Sequence, residues 1–208
     1  MAYPTVSAPY GLRPINSVDG KPYAGATRQL PIASTYNTPI YNGDIVALVA
    51  GGTIAKSGVT DDSTTTAANY TYGVFMGCQY VNGQGQTVQA QYYPGNAAAS
   101  TAIAYIVDDP MAAYKVAVVQ ANSAVTTVNR SIVGVNMAID QGTGNANTGD
   151  SGAGVLVATN AAGNVATLPV RVVEVVPATA TNATAFTEVI VKLNNPQILL
   201  AKGLDYAA

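Results

Sequence analysis

The chain has no histidine, no tryptophan and one cysteine, and Asp, Glu, Lys and Arg together make up only 10% of it. Each shortage excludes something. Without histidine, neither a Ser-His-Asp triad nor a Cys-His pair can be assembled. A single thiol, Cys78, rules out an internal disulfide, and its place in the apolar run Val74–Tyr80 reads as a core thiol. The nine Lys and Arg are scattered singly from Arg13 to Lys202 against a net charge of −2, so no nucleic-acid footprint is present. No apolar run approaches the ~20 residues of a membrane-crossing helix. The first residues, MAYPTVSAPYG, have neither the basic start nor the apolar stretch of a secretory signal. The sequons at Asn69, Asn129 and Asn182 therefore carry no weight. Soluble domains average roughly 25% charged residues. So few charges point to a surface buried against other subunits, or to one solvated by Thr, Asn, Ser and Gln.

Against these absences stands one string that invites a catalytic reading, Gly149-Asp150-Ser151-Gly152-Ala153-Gly154. Gly-Asp-Ser-Gly surrounds the nucleophile of chymotrypsin-like proteases. Here Ser151 has no imidazole, and no lysine stands in Ser-x-x-Lys spacing. The string reads as a turn leading into the strand Gly154–Thr159. The stretch Asp140–Asp150 resembles an acidic, Gly/Asn-rich calcium loop. It lacks the acid spacing of an EF-hand, and an ordinary surface loop is the favoured reading. Asp108-Asp109 alone is too little for a metal. The glycines from Gly142 to Gly154 form no dinucleotide or phosphate motif. Thirteen tyrosines suit either subunit contacts or a sugar-stacking surface. The sequence thus offers no catalytic residue, no metal ligand set and no cofactor site.

The chain is read as all-β, a β-barrel or β-sandwich body with an extended N-terminal arm. Residues 1–35 carry five prolines, which forbid a helix and leave little room for a central strand. They are taken as an arm laid across a partner surface. Residues 36–122 are assigned to a barrel-like domain, 123–196 to a second β unit or its continuation, and 197–208 to a tail with one short helical turn. Strands are expected at 45–49 and 53–56 around Gly51-Gly52, with a bulged strand or strand pair at 71–81. Others fall at 87–93, 100–107, 112–121 and 130–140. A hairpin joins 154–159 to 165–176, and 187–194 is the last strand. No segment keeps a helical apolar period.

Several phrases in order resemble virion structural proteins of tailed bacteriophages, especially of aquatic podoviruses. They are Pro9–Ile15 (PYGLRPI), Tyr41–Ser57 (YNGDIVALVAGGTIAKS) and Tyr72–Val81 (YGVFMGCQYV). Gln91–Asn96, Ala104–Pro110 and Thr187–Gln197 continue the likeness. The run GDIVAL, GGTIA, YGVFMG is also similar to the small barrel of capsid decoration, or cement, proteins. There Gly-Asp enters a strand and a later Gly-Val strand closes the barrel. The resemblance implies a non-enzymatic homotrimer on the capsid surface, present in the host cytoplasm during assembly. It would clamp neighbouring copies of the major capsid protein, with no nucleic acid or membrane as partner. Other virion parts (a head-fibre base, a tail tube, an adaptor) and a carbohydrate-binding adhesion module are the alternatives. Tail tubes use longer strands, and 208 residues without a long helix are short for a major capsid protein.

Overall fold

The computed structural model describes residues 5–58, 71–95, 102–120, 124–157, 168–180 and 185–194. Its strands are β1 (Arg13–Ser17), β2 (Arg28–Ile32), β3 (Ile45–Val49), β4 (Thr53–Lys56), β5 (Gly73–Val81) and β6 (Thr87–Ala90). They continue with β7 (Ala102–Val107), β8 (Ala112–Gln120), β9 (Ala124–Val125), β10 (Asn136–Asp140), β11 (Gly154–Leu156), β12 (Val170–Val175) and β13 (Glu188–Leu193). One 3-10 turn, Arg130–Ile132, is the only helical element among the described residues.

Two sheets close on themselves. In the first, the pairings run β3–β4–β2–β7–β5, and β5 returns to β3, giving a five-stranded ring with β6 hung on β5. In the second they run β8–β11–β10–β12–β13, and β13 returns to β8. Closure leaves no ring strand with an open edge. The fold class is as the strand pattern indicated, an all-β barrel body.

Each ring has its own interior. Ile32, Val46, Ile54, Phe75, Cys78, Ala104 and Ile106 fill the first. Val116, Val118, Met137, Ile139, Val155, Val172, Val189 and Val191 fill the second. Alternation along each strand puts these residues inside, and β-branched side chains suit the pleat. The β3–β4 hairpin turns through Ala50, Gly51 and Gly52, and the two glycines take φ of +84° and +71°, the left-handed region that favours glycine. The stretch 71–81 holds one strand, β5, with a bulge between Phe75 and Gly77, not a strand pair.

Several expectations change. The segment 1–35 is extended where described, but it lies on its own chain. β1 pairs with β8 at the margin of the second ring, while β2 stands inside the first between β4 and β7. Pro31 is tolerated in that central strand because the β2–β4 seam is a single register pair, Ile32–Ile54. The changeover between rings falls between Val107 and Ala112, ahead of the 122/123 division expected from composition. The strands at 154–156 and 170–175 are not a hairpin, because β10 stands between them in the closed ring. The turn at 160–164, the polar loop at 61–70 and the tail at 197–208 lie outside the described residues.

Ile106 is fully buried in the first ring. Ile106→Ala is expected to cost about 2–5 kcal/mol in urea unfolding; a loss under about 0.5 kcal/mol contradicts this packing.

Candidate functional site

The loop that carries Ser151 does not stand apart as a surface loop. It leaves β10 at Gln141 and enters β11 at Gly154, and both of its ends are pressed against the first ring. Gln141 Nε2 donates to the carbonyls of Ile45 at 3.1 Å and Ser57 at 2.8 Å. Asn42 N donates to Gly149 O, and Ser151 N to Asn42 O, so residues 149–151 run beside Asn42 as a short bridge. Thr143 and the tip, 145–148, are exposed. The glycines are needed for contact rather than mobility. A Cβ on Gly144 would lie 2.2 Å from the Tyr41 ring, and one on Gly152 would lie 2.4 Å from Thr143 O.

At the centre of the junction sits Asp44, fully buried at the entrance to β3. Its Oδ1 accepts a hydrogen bond from Ser151 Oγ at 2.5 Å. Its Oδ2 accepts one from Tyr41 N at 2.8 Å and faces Lys56 Nζ at 3.0 Å. Burial is the largest influence on this carboxyl and pushes it above the usual carboxylate range. The Lys56 ammonium, the Ser151 hydroxyl and the Tyr41 amide pull it back. Beside this group, Arg13 donates to the side chains of both Asn42 and Asp150. The chain reaches the junction through Gly11 and Gly43, with φ of +80° and +96°; their backbones meet so closely that a Cβ on either would clash.

Ser151 therefore does have an acid beside it, through a contact 107 residues apart that no local spacing could signal, with Lys56 on that acid's other oxygen. Its hydroxyl is spent in both directions, donating to Asp44 and accepting from Ala153 N at 2.9 Å. With 2% of its surface exposed, it is almost wholly buried at the edge of the cleft described below. What the arrangement does is hold two barrels together around a buried charge. The carboxylates at the two ends of the calcium-like stretch Asp140–Asp150 are likewise engaged, Asp140 by the Gly142 amide and Asp150 by Arg13. No cluster of three metal-ligating side chains occurs among the described residues.

Beside the junction lies a cleft of about 850 Å3 between residues 5–10 and 143–152, lined mainly by hydroxyl and amide side chains. Among the described tyrosines, Tyr93 is buried between Tyr36 and Tyr80, and Tyr41 stacks on Tyr92 at 5.4 Å. Cys78 is buried as expected; desolvation pushes its thiol up to about 12.

The folded Asp44 carboxyl holds its proton more tightly than the unfolded one. It therefore contributes stability at low pH that is lost as pH rises through its folded value. The window starts at the usual carboxylate range and extends upward. In urea melts from about pH 3 to pH 7, the stability of wild type relative to D44N is expected to fall as pH rises; a relative stability that rises toward neutrality contradicts the assignment. Gly43→Ala combines a left-handed φ with a clash on Gly11, and it is expected to cost more than about 1 kcal/mol in the same melts.

Comparison with protein families, with curated proteins and with solved structures finds no match for this chain.

Proposed function

We propose that this chain is a capsid cement protein: a non-enzymatic virion component that binds the outer surface of a phage capsid as a trimer and stabilises the shell. The observation that carries the reading is how the decoration-like phrase folds. Gly43-Asp44 leads into β3, and Gly73-Val74 of β5 pairs with Val46 and Ile45 to close the ring. This is the role that the cement-protein resemblance assigns to those two dipeptides.

The physical character of the body agrees. A shell stabiliser needs rigid modules that withstand repeated strain at the particle surface. Two closed barrels with apolar interiors supply that rigidity, and closure leaves their ring strands no open edge that would cross-link particles. A chain with 10% charged residues suits attachment in which much of its surface is covered. Trimeric attachment adds avidity, since each further contact is made at high effective concentration.

Particles assembled without this chain are expected to rupture at lower temperature and under milder osmotic shock than complete particles. Adding the purified chain back is expected to restore both. Unchanged thermal and osmotic resistance in its absence would sink the proposal. Light scattering on the purified chain is expected to give three times the 21.1 kDa chain mass; a monomer would remove the trimer.

A further inference from the structure

The two rings are one module used twice. Each takes its strands in the same order along the chain, β2, β3, β4, β5, β7 in the first and β8, β10, β11, β12, β13 in the second. Each has one parallel seam, β2–β4 or β8–β11, and antiparallel pairing elsewhere. The registers coincide as well. Ile32–Ile54 falls on Val118–Val155, Leu48–Ile54 on Ile139–Val155, and the closing pair Val46–Gly73 on Met137–Val170. Phe75–Ile106 falls on Val172–Val191, and Leu30–Ala104 on Val116–Val189. A closed ring has one more seam than it has free offsets. Agreement at all five seams therefore means that the two barrels share one stagger. Even the bulge agrees, lying after Phe75 in β5 and after Val172 in β12.

This equivalence identifies a surface. In the first barrel, Ile45, Val74 and Val107 are completely buried and belong to the second barrel's apolar cluster. They are the end by which the first module docks on the second. The equivalent end of the second module contributes none of its three side chains to that cluster. It carries Asn136, Arg171 and Lys192 at the same three positions. Arg171 and Lys192 stand directly opposite each other on β12 and β13, where like charges cost stability. Among the described residues neither has a carboxylate partner. Arg171 is exposed, and its Nε donates to Asn136 Oδ1 at 2.9 Å. Asn194 Nδ2 donates to the same oxygen at 2.9 Å, while its carbonyl is held by Thr71 Oγ1. The guanidinium is thus fixed through Nε, which leaves its two terminal nitrogens for a carboxylate.

We propose that this Asn136–Arg171–Lys192 end of the second barrel is a docking surface for a carboxylate-bearing protein surface. The identity of that partner as the shell rests on the cement reading; the chemistry rests on the residues. The full-length chain and R171Q/K192Q are compared in two assays. In the first, poly-L-glutamate is titrated at low salt while backbone amide shifts are followed. Shifts are expected at Asn136, Arg171 and Lys192, absent at Val74 and Val107, and lost in the variant and in high salt. In the second, R171Q/K192Q is expected to bind shells stripped of this protein at least tenfold more weakly than wild type. Poly-L-glutamate leaving those amides unmoved, or moving the variant equally, overturns the surface whatever the shells do. Equal shell binding by both chains overturns it as well and leaves the cement reading standing. A wild type that answers poly-L-glutamate but ignores stripped shells supports the surface and sinks the cement reading.

Discussion

A single buried carboxylate sets the relation between the two halves of this molecule. Asp44 lies where the first barrel begins its β3 strand, and its oxygens collect a hydroxyl from the second barrel, a local amide and the Lys56 ammonium. A carboxylate out of water and without partners would cost several kcal/mol, and each of these contacts offsets part of that cost. The same requirement orders the chain around it. The loop 141–153 must bring Ser151 within reach, and Gly11 and Gly43 must let two backbones touch. Buried polar groups of this kind specify an arrangement more than they add net stability. The apolar contact of Ile45, Val74 and Val107 supplies the adhesion, and the Asp44 group chooses the angle.

Chain path reinforces that choice. Residues 5–17 lie on the second barrel, the following segment builds the first, and the remainder returns to complete the second. The junction is therefore crossed twice. Val6 and Tyr10 cover the outer face of the β8–β11 seam next to Ala117, Val119 and Phe186. An arm that the prolines suggested would reach toward a neighbour instead spends its apolar residues at home.

Much of the fold was legible because strand periodicity is local. Ile45–Val49, Thr53–Lys56 and Glu188–Leu193 were readable from alternation and from Gly51-Gly52. What escaped was everything that depends on closure. The strand at 28–32 was masked by Pro31, and its tolerance follows from a one-pair seam that no local pattern records. The expected hairpin of 154–159 with 165–176 failed because β10 intervenes, and pairing partners in a ring are a global property. The string around Ser151 could be cleared of a triad from composition alone. Its actual role, as donor to Asp44, rests on a contact between distant segments.

Two closed barrels of one design, joined through a shared apolar cluster, make a body suited to sitting on a surface and resisting strain. The central claim is that this body sits on the outside of a capsid. A cryo-EM reconstruction of the purified particle, at a resolution that separates strands, tests it most directly. The account requires paired five-stranded barrels in clusters of three on the outer face of the shell. Density for this chain confined to the tail, or found nowhere on the capsid exterior, would contradict it.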